Sequence, residues 1–192
     1  MTKYIELRSN LRHGDIVLFR GKALSSRIIQ WLDEGYYNHM GLVFTVGERK
    51  LILDSSAPGV NPYFLSERMK MYTDFCVIRP AVWDTDEISR GVDAVMRKAE
   101  NGIRYDFKLL LQIVLYRKAG WIEKLNSGHK DICSEFIRRY IRHLSPRSTC
   151  FESPPLPTSC ITPWDFIIYA NSQFEILYDR SDKDKFRKVI KS

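Results

Sequence analysis

Two apolar runs, HMGLVF (39–44) and LILDSS (51–56), are separated only by TVGERK, and that spacing constrains the fold strongly. Two strands joined by so short a polar link form an antiparallel hairpin. His39 opens the first strand, so its ring lies at the sheet's edge rather than in mid-core. Gly41 shares its face and leaves room for a neighbour to approach. Side chains alternate along a strand, so loop parity decides what joins them. An even-numbered loop brings Asp54 to the face of His39, and an odd one brings Ser55. Two- and four-residue hairpin loops are common, which favours Asp54.

The other segments build round this hairpin. GDIVLF opens the globular part as a buried strand, after a turn at His13-Gly14-Asp15. ALSSRIIQWL (23–32) reads as a short helix with Leu24, Ile28, Trp31 and Leu32 on one side. APGVNPYFLSERM reads as a Pro/Gly-punctuated connection, and DFCVIRP as a further strand. The clearest helix runs from Thr85 to Asn101. Asp84 and Glu87 have capping-box spacing, Ile88, Val92, Val95 and Ala99 form a stripe, and Gly102 supplies a stop. A second helix is predicted over Phe107–Lys118 and a third over DICSEFIRRYIRHL, where Phe136, Ile137, Tyr140, Ile141 and Leu144 recur at helical spacing with Cys133 on their side. SPPLPTS reads as an extended loop. Thr162 and Pro163 suit the N-cap and first position of a short helix, and FEILYD is a last strand. The expected class is α+β, an antiparallel sheet packed against helices. It forms one domain over 1–192, with a basic tail from about residue 180.

At 192 residues and 44% hydrophobic, the chain can bury a core of that size. Its four cysteines (Cys76, Cys133, Cys150, Cys160) form no CxxC pair, so zinc and redox readings are weak and no metal or cofactor is expected. The N-terminus is too polar for a secretory signal, and no apolar run approaches the ~18 residues of a membrane span. A soluble, cytoplasmic protein is the default expectation. The formal charge of +7 is concentrated in RRYIRHLSPR and DRSDKDKFRKVIKS. Those stretches read as a solvated helix face and tail, or as a surface for an anionic partner such as phospholipid or teichoic-type polymer. No phosphate loop, helix-turn-helix spacing or RNA-binding aromatic motif favours nucleic acid.

The chemistry centres on Cys133. At a helix N-terminus, unpaired N–H groups and the helix dipole stabilise a thiolate, and a backbone N–H there can hold an oxyanion. The competing reading is a buried, inert cysteine. His39 suits a general base, or else a hydrogen-bonded loop histidine; His13, His129 and His143 sit in less suitable contexts. Asp54 suits the group that orients the imidazole, or else a strand-end acid binding its own turn DSSAPG.

At these residues the chain resembles the permuted branch of the NlpC superfamily, in particular the YiiX/YebB-like cysteine hydrolases. GDIVLFRG, Tyr37-x-His39-x-Gly41, LILDSSAPGV, and YDF followed by a Cys-Ser-Glu-Phe helix carry the likeness, with Thr162-Pro163 fitting as well. It runs from GDIVLF to FEILYD. The resemblance implies a circularly permuted papain-like fold, since His39 precedes Cys133 where papain-like enzymes place Cys first. It also implies that Cys133 is the nucleophile, His39 the base and then acid, and Asp54 the orienter, where relatives often carry Glu. Tyr37 and Tyr105 fall at aromatic pocket positions that would bind substrate. The implied activity is cysteine-dependent hydrolysis of an amide or ester, in a peptide, cell-wall peptide or lipid acyl substrate. The alternatives are acyl transfer of the lecithin–retinol acyltransferase type, whose Asn-Cys-Glu-His segment DICSEFI does not match, or a binding module on the same shell.

Overall fold

The computed structural model describes residues 2–22, 26–27, 30, 35–56, 59–102, 104–105, 130–144, 161–168 and 173–179. In chain order the elements are α1 (Thr2–Arg8), β1 (Ile16–Arg20), β2 (His39–Val46), β3 (Arg49–Ser56), β4 (Gly59–Phe64), α2 (Leu65–Met71), β5 (Asp74–Pro80), α3 (Thr85–Glu100), β6 (Arg104–Tyr105), β7 (Lys130–Asp131), α4 (Cys133–Leu144), α5 (Pro163–Ile168) and β8 (Phe174–Asp179). Six strands form one antiparallel sheet in the order β4-β3-β2-β1-β5-β8, and β6 and β7 pair in parallel apart from it. The α+β expectation holds.

Strict alternation gives the sheet two apolar faces. Ile16, Leu18, Met40, Leu42, Phe44 and Leu53 face one way, onto Val92 and Val95 of α3, Phe136, Ile137 and Tyr140 of α4, and Trp164 of α5. Val17, Phe19, Val43, Ile52 and Val77 face the other way, onto Tyr4 and Leu11 near α1 and Leu65 and Met69 of α2. Covering both faces buries far more apolar surface than one layer could.

The hairpin turn decides the register. β2 runs on through Thr45 and Val46 and β3 starts at Arg49, which leaves Gly47 and Glu48 as a two-residue loop. Gly47 has φ +58°, the left-handed conformation such a turn requires and glycine adopts cheaply. The loop is even, and Gly41 pairs with Asp54.

α3 begins as its sequence predicts. The Asp84 carboxylate accepts from the Glu87 N–H while the Glu87 carboxylate accepts from the Asp84 N–H, a complete capping box. α5 is closed similarly: the Thr162 N–H and hydroxyl donate to the Asp165 carboxylate at 2.7 and 3.0 Å. Two expectations need correction. APGVNPYFLSERM is not a mere connection, because it supplies β4 and α2. Pro62 is tolerated since β4 is an edge strand, and α2 starts at Leu65 behind Phe64, which supplies no side-chain cap, so neither element carries its usual signal. The polar N-terminus, read only as unfit for a signal, contributes α1. The helix predicted over 107–118, most of the one over 23–32, the loop SPPLPTS and the basic tail lie outside the described residues. No helix among the described residues is long and apolar enough to cross a membrane.

Candidate active site

His39 is the first residue of β2, opposite Phe19 of β1. Its Nε2 lies 2.6 Å from Asp54 Oδ1, so the even hairpin loop delivers the acid to the imidazole. Ser55 pairs with Val60 and, by alternation, points away from the His39 face. Gly41 stands between them for a steric reason: a Cβ there would come within 2.8 Å of the Ile52 side chain and 2.9 Å of the Leu53 carbonyl oxygen. The room that Gly41 leaves is filled by Ile52.

The pair is nearly dry. Asp54 is 0% exposed and the His39 side chain 14%. Burial alone would depress the His39 pKa. Asp54 outweighs it by charge and hydrogen bond, with Cys133 adding to it, and raises the imidazole well above its ordinary value. Burial would likewise raise Asp54, yet His39 and then Arg68 hold the carboxyl below its ordinary value. Both shifts favour an imidazolium–carboxylate pair.

Aromatic rings fix the imidazole plane. Tyr72 stacks on His39 with centroids 5.7 Å apart and planes 15° apart, and Phe19 stacks on Tyr72 at 4.4 Å. Burial raises the Tyr72 hydroxyl, so it stays neutral. On the far side of Asp54, Arg68 Nε lies 2.7 Å from Oδ2, a charge contact without hydrogen-bond alignment. The Arg68 guanidinium also lies over the Tyr63 ring, 3.7 Å from its centroid.

Cys133 is the first residue of α4. The Phe136 N–H donates to the Ile132 carbonyl at 3.0 Å, which makes Ile132 the cap and leaves Cys133 in the first turn as predicted. The thiol is free and the residue 5% exposed. It packs in the cluster on the α4 face of the sheet, whereas His39 shares the α2 face with Phe19 and Gly41. His39 opens its strand, and Cys133 is among the groups that raise its pKa. In the same helical turn Glu135 is buried and gripped by Arg138 through two contacts at 2.7 and 2.5 Å.

The pocket aromatics fare differently. Tyr37 is buried in the core beside Trp164, and its hydroxyl donates to Asp179 Oδ1 at 2.7 Å. The structure thus places it as a strut between β2 and β8. Tyr105 lies in β6, opposite Asp131, and its side chain is outside the described residues. His13 accepts from the Thr45 N–H, while His143 is exposed near the end of α4, where burial and then Lys98, Arg139 and Arg97 lower its pKa. Sequence reasoning missed Arg68, Tyr72, Tyr63 and Phe19, whose roles depend on the unforeseen β4 and α2. Tyr72 is the extended residue that closes α2, so its place had meaning only once α2 was known.

No family model and no curated protein matches the chain. Its fold is similar to that of a solved structure, metalloprotein YiiX from Escherichia coli O157:H7, with a TM-score of 0.52 and 14% identity. That match covers 88% of this chain and 97% of the other, so the likeness in fold spans most of both chains.

Proposed function

We propose that the chain is a cysteine hydrolase of the permuted papain-like type, cleaving an amide or ester through an acyl-enzyme on Cys133. The buried His39–Asp54 contact at 2.6 Å, with the imidazole driven towards its charged form, carries this reading. Nε2 is committed to Asp54, so Nδ1 is the nitrogen left to face a thiol. A charged imidazole beside the sulfur stabilises the thiolate, which is the attacking species. In the reaction the Cys133 sulfur adds to the substrate carbonyl. The first N–H groups of α4 stabilise the oxyanion, and His39 gives its proton to the departing amine or alcohol. Water, deprotonated by His39, then releases the acid and restores the thiol.

The YiiX neighbour is described as a metalloprotein, and the donor set here fits a thiol site better. His39 Nε2 is taken by Asp54 and the second Asp54 oxygen faces the Arg68 cation, which would repel a metal ion. Among the described residues no three His, Cys, Asp or Glu converge as metal ligands.

Burial of Cys133 at 5% favours a second reading, the same shell used for binding with an inert thiol. Iodoacetamide labelling separates the two. The hydrolase reading expects Cys133 to be alkylated before Cys76, which is 0% exposed, and expects Cys133→Ala to abolish turnover of thioester and amide reporters. A Cys133 that stays unlabelled while other thiols react would refute it.

A further inference from the structure

Asp54 is a buried carboxylate with a cation on each oxygen. His39 occupies Oδ1 at 2.6 Å and Arg68 occupies Oδ2 at 2.7 Å. Arg68 is itself held firmly. Its side chain is 11% exposed, its guanidinium lies over the Tyr63 ring, and its terminal nitrogens reach Met71 Sδ at 3.3 Å and Ser56 Oγ at 3.5 Å. A guanidinium so held keeps a cation against Oδ2 while His39 holds Oδ1. It also sets the charge of the cluster.

Resting on the thiol reading above, we propose that Arg68 is a positioning residue whose charge lets the thiol ionise beside the imidazolium without leaving the buried cluster net negative. The charged groups that meet here are His39 from β2, Asp54 from β3, Arg68 from α2 and Cys133 from α4, with the neutral Tyr72 hydroxyl beside them. Two cations then face two anions once the thiol has ionised. With Arg68 removed, that same state carries a net negative charge in a nearly dry site, and burial disfavours it. Lysine would keep the charge and lose the flat stack on Tyr63.

The test is the pH profile of Cys133 alkylation by iodoacetamide, followed by peptide-resolved mass spectrometry on the full chain. Wild type, Arg68→Met and Arg68→Lys are compared, and Arg68→Gln replaces the methionine variant if that one does not fold. In Arg68→Met the acid limb moves to higher pH. At pH 5.5 its rate, taken relative to its own high-pH plateau, is about tenfold lower than wild type. Arg68→Lys restores most of the limb. A rate reduced by one factor at every pH marks a merely structural role and overturns the proposal, as does an unmoved profile or a lysine variant displaced as far as the methionine one. If wild-type Cys133 is never labelled, the hydrolase reading fails by itself. The NMR titration of the His39 ring proton then still decides on Arg68: a midpoint moved in Arg68→Met supports its control of the pair, and an identical one overturns it.

Discussion

Asp54→Asn removes one charge and almost no volume, which makes it the sharpest probe of the buried pair. Asp54 is fully buried between His39 at 2.6 Å and Arg68 at 2.7 Å. Neutralising one member of a buried ion pair leaves the other uncompensated, at a typical cost of about 3–5 kcal/mol. His39 can shed its proton and escape that penalty, whereas Arg68 cannot. We therefore expect a loss of about 3 kcal/mol near pH 5.5, the lower end of that range. The loss should depend on pH in a definite sense. The Asp54 pKa is depressed by folding, so its contribution is present above the ordinary carboxylate value of 3.8 and fades as pH falls through the native one. The His39 pKa is raised, so its contribution is complete below 6.5 and fades as pH rises through the higher native value. The gap between wild type and Asp54→Asn should therefore be widest between those two reference values and narrow on both sides, with the Arg68 part persisting at alkaline pH. Urea unfolding at pH 3, 5.5 and 9 measures it, alongside NMR titration of the His39 ring, whose midpoint should drop once burial is no longer opposed by the carboxylate. A gap that is flat with pH, or a His39 midpoint that stays in place, would show that the two groups do not share a proton-linked pair.

Two further substitutions probe the framework. Gly41→Ala would force a methyl to within 2.8 Å of Ile52 and 2.9 Å of a backbone oxygen of β3, the strand that carries Asp54. Overpacking of that kind costs about 1–3 kcal/mol, read from the urea midpoint; a wild-type midpoint would mean that the hairpin relaxes freely. Tyr37→Phe deletes the hydroxyl that donates to Asp179 and Phe75, and stability should fall by about 1 kcal/mol. An unchanged midpoint there would weaken its assignment as a strut between β2 and β8.

The hairpin, the capping box of α3 and the N-terminus of α4 were legible because each rests on interactions close in sequence. Asp84 and Glu87 cap each other across three residues, and Gly47 with Glu48 sets the parity that puts Asp54 rather than Ser55 beside His39. β4 and α2 were hidden because their stability comes from tertiary packing. Pro62 is acceptable because β4 is an edge strand among the described residues, and α2 lacks a capping side chain and is held by Leu65 and Met69 against the second sheet face. Arg68 was out of reach for the same reason. Nothing in SERMKMY marks it, and its meaning arises when α2 lays it against Asp54. Tyr37 shows the converse, a position suggestive by resemblance whose hydroxyl the fold spends on Asp179.

The two halves of the candidate site belong to opposite faces of one sheet. Asp54 and the imidazole plane are set on the α2 side, by strand register and by the stack of Tyr72 and Phe19. The sulfur is set on the α4 side, by a helix whose apolar stripe packs on Leu18, Met40 and Leu42. The two sides are linked electrostatically, since Cys133 is among the groups that raise the His39 pKa. The local rules that fix each half are therefore independent, and the sheet itself aligns them. A shift of one residue in the β2–β3 register would replace Asp54 by Ser55 and leave Cys133 untouched, while a change in the α4 packing would move the sulfur and leave the His39–Asp54 pair intact. Arg68 reports on the first half and thiol alkylation on the second. Their coupling in one pH profile is what separates a working site from two adjacent structural features.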